Sequence, residues 1–208
     1  VYDLILTPGT VESPNVWNVM NLITRDYVNI RGGDADRRKV WIKGERPNGS
    51  SNCGAYETIT YKTTTVLENL TITCKNMRYP YHNDGCPTNT QQTVNNCHVE
   101  HLGNWKADGI TPAPYAESGW DSCHANGCGT SSGMVVTISN SHLIARQNGM
   151  ALYAHDATGF TQPSKIIATN NTLEHADNGP TVWMDGGANS GQASSILTNA
   201  YLITCSHY

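Results

Sequence analysis

The fold is decided by the segment Leu67-Glu-Asn69-Leu-Thr-Ile72 and by four later segments that share its pattern. Those segments are Val94-Asn-Asn96-Cys-His-Val99, Ile138-Ser-Asn140-Ser-His-Leu143, Ala168-Thr-Asn170-Asn-Thr-Leu173 and Leu197-Thr-Asn199-Ala-Tyr-Leu202. Each has an apolar residue two positions before the central Asn and another three positions after it. Five copies of one pattern with fixed offsets indicate a repeat architecture.

The offsets within each copy require the chain to bend at the Asn. Side chains of a strand alternate between two faces, so apolar residues at −2 and +3 are out of phase for one continuous strand. Asn is the non-glycine residue that most readily adopts the left-handed conformation of such a bend. We therefore predict equivalent corners at the Asn residues, with their amides stacked into a hydrogen-bonded ladder.

The Asn anchors are 27, 44, 30 and 29 residues apart. This spacing suits an all-β, right-handed single-stranded parallel β-helix with about 27–30 residues per coil across residues 1–208. The longest interval then holds a loop excursion between about Lys106 and Gly133. Because the repeats start and stop without polar caps, we expect a fragment of a larger chain. The alternative is an antiparallel β-sandwich with Asn in its turns.

The composition favours strands and turns over helices. Only 14% of the residues are charged, which is well below the usual quarter and argues against long amphipathic helices. The net charge is −4, and the one basic cluster is Arg37-Arg38-Lys39, so we expect no nucleic-acid partner. No long apolar run and no basic leader are present, so we expect neither a membrane span nor a signal peptide.

The seven cysteines, at positions 53, 74, 86, 97, 123, 128 and 205, form an odd and scattered set. Such a set does not suggest a compact disulfide framework, and most members are expected to be buried thiols. For Cys123 and Cys128, free thiols, a local disulfide and half of a metal site all stay open. A zinc site would need two more ligands that the sequence does not place, so no metal site is predicted.

With this repeat the chain resembles the pectin-lyase-like superfamily of parallel β-helices, and in style the tailspike and appendage proteins of bacteriophages. The resemblance covers about residues 15–208. Besides the repeats, it is carried by Tyr27-Val-Asn-Ile-Arg-Gly-Gly33, Lys39-Val-Trp-Ile-Lys-Gly44 and His82-Asn-Asp-Gly85. Of the polygalacturonase motifs only Asn83-Asp84-Gly85 has a partial counterpart, so pectinase chemistry is not implied.

The resemblance implies a homotrimer, on a virion tail or otherwise extracellular, that binds a bacterial surface polysaccharide and depolymerises it as a glycoside hydrolase or lyase. Two alternatives stay open. One is a non-catalytic carbohydrate-binding adhesin or fibre shaft, and the other is a secreted bacterial polysaccharide lyase. No cofactor is implied, apart from Ca²⁺ in the lyase alternative.

Three aspartates recur after the Asn anchors. Asp84, Asp156 and Asp185 follow their anchors by 15, 16 and 15 residues, so we expect a column with about 5 Å between neighbouring coils. Carboxylates this close suit a retaining glycosidase, wider pairs suit an inverting one, and calcium bridging is a third role. The alternative is that Asp-Gly only ends a strand. The neighbours predicted to assist or to bind substrate are His82, His155 and Trp183.

A second recurrence is Val99-Glu-His101 and Leu173-Glu-His175, two coils apart. Glu100 and Glu174 are expected to point outward about 10 Å apart, which loosely fits the carboxylate pair of an inverting glycosidase. The alternative is a solvated or subunit-facing surface, because Ile144 between them is predicted to face outward as an interface residue does.

The predicted excursion combines aromatic and acidic side chains. Aromatic rings stack on sugars and carboxylates bind hydroxyl groups, which suits a groove wall. The alternative, equally favoured, is that the aromatic residues only pin the loop to the coil. The residues concerned are Trp105, Asp108, Tyr115, Glu117, Trp120 and Asp121.

Overall fold

The computed structural model describes residues 1–12, 22–23, 25–61, 63–83, 86–120, 122–126, 128–147, 149–156, 165–175, 182–185 and 204–205. The described residues are predominantly short β-strands, with one helical turn, α1 (Tyr115–Ser118), and two 3-10 turns, Arg37–Lys39 and Cys53–Ala55. No helix in this part of the chain is long and apolar enough to cross a membrane. In chain order the strands are β1 (Tyr2–Leu6), β2 (Gly9–Glu12), β3 (Leu22–Ile23), β4 (Val28–Gly32), β5 (Val40–Glu45), β6 (Glu57–Thr60), β7 (Thr65–Glu68), β8 (Thr71–Lys75), β9 (Tyr79–His82), β10 (Gln91–Asn95), β11 (His98–His101), β12 (Cys128–Thr130), β13 (Val135–Ser139), β14 (His142–Ala145), β15 (Leu152–Asp156), β16 (Lys165–Thr169), β17 (Thr172–His175), β18 (Val182–Asp185) and β19 (Thr204–Cys205).

Pairing follows every third strand of the chain. The first sheet has the order β1-β4-β7-β10-β13-β16, and the second has the order β2-β5-β8-β11-β14-β17-β19. The third and fourth sheets are β3-β6-β9 and β12-β15-β18. Every pairing among these strands is parallel, which excludes the antiparallel sandwich for the described part of the chain.

The register of the first sheet follows the predicted repeat. Leu67 pairs with Val94, Val94 with Ile138, and Ile138 with Ala168. These are the apolar residues two positions before the Asn anchors, and all four are buried. The prediction is therefore confirmed for four repeats, while the repeat around Asn199 lies outside the described residues.

The second sheet supplies the opposing half of the core. Its column consists of the apolar residues three positions after the anchors, preceded by Ile42, and each member is at most 2% exposed. Truncation of such a buried side chain typically destabilises a protein by about 2–5 kcal/mol. The members, in pairing order, are Ile42, Ile72, Val99, Leu143 and Leu173.

The Asn anchors turn the chain in the left-handed conformation. Asn69, Asn96, Asn140 and Asn170 have φ angles of 58°, 48°, 52° and 53°. The Asn96 amide donates to Asn69 Oδ1 at 2.8 Å, and the Asn170 amide donates to Asn140 Oδ1 at 2.7 Å. Between them, Asn140 donates to Asn95 Oδ1 at 2.9 Å. The predicted ladder is present, with a detour through Asn95.

A second row of left-handed turns follows the strands of the second sheet. Asn76, Gly103 and Gln147 occupy equivalent positions after β8, β11 and β14, with φ angles of 55°, 93° and 60°. The Asn76 N–H donates to the Gly103 carbonyl at 3.0 Å. Gln147 accepts from the Asn104 N–H and donates to its carbonyl, both at 3.0 Å. The second sheet is thus fixed at both ends.

Polar side chains along the first sheet form a continuous network outside the core. Arg31 forms ion pairs with Asp3 and Glu68. Glu68 Oε1 accepts from Asn95 Nδ2 at 2.7 Å, and Asn95 Oδ1 accepts from Ser139 Oγ at 2.9 Å. The network links β1, β4, β7, β10 and β13 and joins the Asn ladder at Asn95.

The segment between β11 and β12, called the inserted segment below (residues 102–127), leaves the strand pattern and packs against an earlier loop. Trp105 and Pro112 form an isolated antiparallel bridge. The Gly49 N–H donates to the Trp105 carbonyl at 2.8 Å. A Cβ atom on Gly54 would lie 3.3 Å from the Trp120 side chain, so the two segments are in close contact there.

Candidate functional site

Both candidate glutamates lie in one side-chain column of the second sheet, on the face away from the core. Glu100 on β11 pairs with Ile144 on β14, and Ile144 pairs with Glu174 on β17. Neighbouring strands are about 4.8 Å apart, so the two glutamates are separated by about 10 Å along the sheet. Their side chains are 14% and 19% exposed, so both are partly open to solvent.

Glu100 is bound through both of its carboxylate oxygens. His98 Nε2–H donates to Oε2 at 3.0 Å, and Arg146 donates to Oε1 from Nε at 3.0 Å and from Nη2 at 2.8 Å. Burial raises the pKa of Glu100, but the hydrogen bonds from His98 and Arg146 outweigh it, so the pKa is lowered. Glu100 is therefore ionised at neutral pH, the form that a general base requires, and its lowered pKa makes it a weak base.

Glu174 has a single histidine partner. His142 Nε2–H donates to Glu174 Oε1 at 2.7 Å. The rings of His142 and His98 lie on paired strands and meet edge to face, with centroids 5.2 Å apart. His98, Glu100, His142 and Glu174 thus form one Glu–His cluster across three strands. Sequence reasoning missed the two histidines, although both stand two residues after an Asn anchor.

Ile144, between the two glutamates, does not offer an apolar contact surface. It is 4% exposed and is not part of the core cluster, so it faces away from the core but is covered. Glu100 and Glu174 flank it on the neighbouring strands, and Arg146 extends to Glu100 from its own strand. Ile144 thus faces away from the core as predicted, although it leaves little exposed apolar surface for a partner.

A groove beside Glu100 extends across the second sheet toward β5. Its volume is about 420 Å³. Trp41 Nε1–H donates to Thr73 Oγ1 at 2.7 Å, which fixes the indole over the neighbouring strand. Sequence reasoning missed Trp41, although the alternating apolar residues of β5 indicate that its side chain lies on the face away from the core. The groove is lined by Arg38, Trp41, Thr71, Thr73, His98, Glu100 and Leu102.

The predicted aspartate column is not in register. Asp185 on β18 pairs with His155 on β15, and Asp156 is the next residue along β15. Asp156 and Asp185 are therefore one position out of register. The prediction failed because Asp156 follows its anchor by one residue more than Asp185 does. Outside the described residues lie Asp84 and the side chains of Asp156, Asp185, His155 and Trp183.

The tryptophans of the inserted segment anchor it. Trp105 Nε1–H donates to the Leu102 carbonyl at 2.8 Å, and Trp120 Nε1–H donates to the Ser122 carbonyl at 2.6 Å. The Trp120 ring also lies 4.6 Å from the guanidinium carbon of Arg78. Both indole N–H groups are therefore used within the protein, which favours the interpretation that these residues pin the segment.

Asp108 and Tyr115 lie on the outside of the inserted segment. The Asp108 carboxylate accepts the Thr111 hydroxyl at 2.6 Å and two backbone N–H groups, and these bonds lower its pKa to about 2. Asp108 thus shapes a turn. Tyr115 is 60% exposed and is the described aromatic residue of this segment that is open to a ligand. Asp121 lies outside the described residues.

His82 lies on β9 of the third sheet, and it does not line the groove of the second sheet. It is buried, and its Nδ1–H donates to Glu57 Oε1 at 2.8 Å. Its ring centroid is 5.0 Å from that of Tyr79. The structure therefore places His82 in a buried polar cluster apart from Glu100 and Trp41.

Five cysteine side chains are described, and none of them is bridged to another of the five. Cys53, Cys74, Cys86, Cys97 and Cys123 are all buried thiols. The side chains of Cys128 and Cys205 lie outside the described residues, so the alternatives for Cys123 and Cys128 stay open. Burial raises the pKa of Cys97 to about 12, which keeps this thiol protonated. Within the described ranges, no three or more His, Cys, Asp and Glu side chains are grouped to hold a metal ion.

In comparisons with protein-family models, curated proteins and solved structures, none matches this chain. The strand pairings of the described residues are compatible with a parallel β-helix.

Proposed function

We propose that the parallel strands form a right-handed single-stranded parallel β-helix, with three strands to a coil. The pairing of every third strand supports this, as do the repeated columns and corners of the first two sheets. Right-handedness follows from the strong preference of parallel crossover connections for that hand. The third and fourth sheets are then two parts of one side, separated by the inserted segment.

On this scaffold the chain binds a bacterial surface polysaccharide along the outer face of the second sheet and hydrolyses it. The observation that carries the proposal is the pair of Glu100 and Glu174, two coils apart in one solvent-facing column and next to a groove that contains Trp41. Following the resemblance to tailspikes, the working form is a homotrimer on a virion tail or another extracellular structure.

Glu100 and Glu174 stand on strands about 10 Å apart, just above the roughly 6.5–9.5 Å between the carboxylates of inverting glycosidases, and their side chains can close this difference. Ionised Glu100 takes a proton from water as the water oxygen attacks the anomeric carbon. Glu174 donates a proton to the glycosidic oxygen that leaves. Solvent then removes the proton from Glu100 and returns one to Glu174, whose neighbour His142 is placed to relay it.

The test measures new reducing ends when the protein is incubated with purified bacterial surface polysaccharides. Glu100→Gln and Glu174→Gln should each lower the rate about 100-fold or more, because each removes a proton-transfer group. Glu45→Gln is the matched control, since Glu45 lies on the same sheet and pairs with Lys43. Proton NMR of the first product should show an inverted anomer; a retained anomer, or full activity in either variant, contradicts the mechanism.

A second candidate, a non-catalytic carbohydrate-binding adhesin, is favoured by the environment of Glu100. Both of its oxygens already accept hydrogen bonds from protein groups, as in a carboxylate that only stabilises a surface. Binding without new reducing ends would support the adhesin. Unsaturated products that absorb in the ultraviolet and require Ca²⁺ would support the lyase alternative instead.

A further inference from the structure

We infer that the groove beside Glu100 is a subsite for an uncharged sugar stacked on Trp41, and that the substrate is therefore a neutral polysaccharide. This inference rests on the proposed function, because it names the substrate class of the same site. It is carried by the fixed position of Trp41, by the uncharged side chains of Thr71 and Leu102 beside it and by the pairing of the nearby charges.

Trp41 is held in place before any ligand arrives. Its N–H is bonded to Thr73 Oγ1, and Lys43 Nζ lies 5.6 Å from the centroid of the ring. Trp41 stands on β5, two strands before β11, and its indole reaches over β8, the strand next to β11. Glu174 stands two strands beyond Glu100 on the other side, about 10 Å away. A glycan running along the stack therefore meets Trp41, Glu100 and Glu174 in that order.

The lining near Trp41 suits the two kinds of surface that a neutral sugar presents. The indole and Leu102 offer apolar contact to the C–H face of a sugar ring. Thr71 carries a hydroxyl at the same level, and its Oγ1 donates to the Arg37 carbonyl, so one of its oxygen lone pairs can accept from a sugar hydroxyl. A carboxylate substituent finds no matching group among these residues.

Arg38, which lines the groove, and Lys43, which lies beside the Trp41 ring, are each paired with a carboxylate. Arg38 donates to both oxygens of Asp36, at 2.8 and 2.9 Å, and Lys43 Nζ lies 2.8 Å from Glu45. Recognition of an acidic sugar would use such a guanidinium or ammonium group, and the acidic polymer would also be repelled by ionised Glu100. A neutral polymer meets neither obstacle. Because β-elimination needs a carboxyl group beside the proton that is removed, a neutral substrate also selects hydrolysis over a lyase reaction.

The test compares binding to a panel of neutral polysaccharides (dextran, mannan, galactan and xylan) and acidic ones (polygalacturonate, alginate and hyaluronate), by affinity electrophoresis and tryptophan fluorescence. We expect the tightest binding to a neutral polymer, and a roughly five- to tenfold loss with Trp41→Ala. Trp41→Phe keeps a stacking ring and should retain most of the affinity. Tyr27→Ala, which removes an exposed aromatic ring outside the groove, should retain all of it.

Three results would overturn the inference: tightest binding to an acidic polymer, no binding to any neutral polymer, or equal affinity in Trp41→Ala and Tyr27→Ala. The outcomes separate the two proposals. If a neutral polymer binds in a way that requires Trp41 but is not cleaved, the hydrolase proposal is wrong and the subsite proposal is supported. If cleavage requires Glu100 but not Trp41, the subsite proposal is wrong and the hydrolase proposal is supported.

Discussion

Asn140 combines a left-handed backbone conformation with two side-chain hydrogen bonds of the Asn ladder. Its φ angle is 52°, its amide donates to Asn95, and its Oδ1 accepts from Asn170. For a residue with a Cβ and no local hydrogen bond, the left-handed conformation costs about 1–2 kcal/mol, and each lost hydrogen bond adds about 1 kcal/mol. We expect Asn140→Ala to lower the free energy of unfolding by about 2–4 kcal/mol, measured by urea denaturation.

Asn140→Gly separates the two contributions. Glycine adopts positive φ freely, so this variant loses the ladder bonds without the backbone penalty. It should be more stable than Asn140→Ala by about 1 kcal/mol. Equal stabilities would mean that the backbone conformation is not what selects Asn at this corner.

His101 is a buried residue whose charge state follows from its two hydrogen bonds. Nε2–H donates to the Met77 carbonyl at 3.0 Å, and Nδ1 accepts from the Gly103 N–H at 2.9 Å, so the ring is neutral. Burial lowers its pKa from 6.5 to about 4. The unfolded chain thus binds the proton more tightly. The resulting stabilisation is complete above pH 6.5 and falls by about 3 kcal/mol as the pH drops to about 4.

We expect His101→Gln to remove this part of the pH dependence, because an amide can donate to Met77 without titrating. Urea denaturation of both proteins at several pH values between 4 and 7.5 is the measurement. Carboxylates that titrate in both proteins cancel in the comparison. Parallel pH profiles for the two proteins, or an imidazole of His101 that titrates near its ordinary pKa by NMR, would contradict the neutral buried state.

At the scale of elements, the inserted segment depends on Trp120. The indole covers Arg78 and closes its own turn through Ser122. A stacked cation contributes about 1 kcal/mol, which is small for the whole chain but large for one loop. We expect Trp120→Ala to speed amide hydrogen exchange within residues 104–120, with little change in exchange at β10 and β13. Tyr115→Ala, at an exposed site of the same segment, should leave both rates unchanged.

The corners show which elements the sequence can specify. The first row was predictable because one residue type, Asn, marks it in every repeat. The second row was not, because Asn76, Gly103 and Gln147 share a backbone conformation but no residue type. The register of β15 and β18 could not be predicted either, since a difference of one residue in the distance from the Asn anchor moves Asp156 out of register with Asp185.

At the scale of the whole molecule, β1 is an edge strand among the described strands of the first sheet. It stands last in the order of the first sheet, and Leu4 and Ile5 are 47% and 53% exposed. Leu4 is in register with buried Ile30, so it extends the internal column without cover. Apolar edge strands pair with other chains. We expect this 208-residue chain to self-associate through β1 at high concentration, and Leu4→Lys to reduce that association.

Sedimentation velocity at increasing protein concentration is the measurement. Ile110→Lys is the control, because Ile110 is 79% exposed but lies in the inserted segment, away from the sheet edge. An equal effect of the two substitutions would point to general solubility and not to strand pairing.

The sequence predicted the stacking of the first two sheets but not the chemistry on their surfaces. Columns such as Leu67 and Val94 could be predicted because burial imposes an apolar residue at each repeat. The groove at Trp41 could not, because it depends on which side chains the pairing of β5, β8 and β11 brings together. Neither did the repeat reveal that Arg146 would reach Glu100, 46 residues away in sequence.

The first sheet keeps its register across the 44-residue interval as faithfully as across the 27-residue one. The entropy lost on closing a loop grows slowly with its length, so each doubling of the length costs roughly 0.6 kcal/mol of additional free energy. The gap between β11 and β12 is therefore a natural grafting point. We expect that another loop with the same end-to-end distance can replace the inserted segment without disturbing the paired strands. Recombination at this point would then change the surface of such a chain while its fold stays the same.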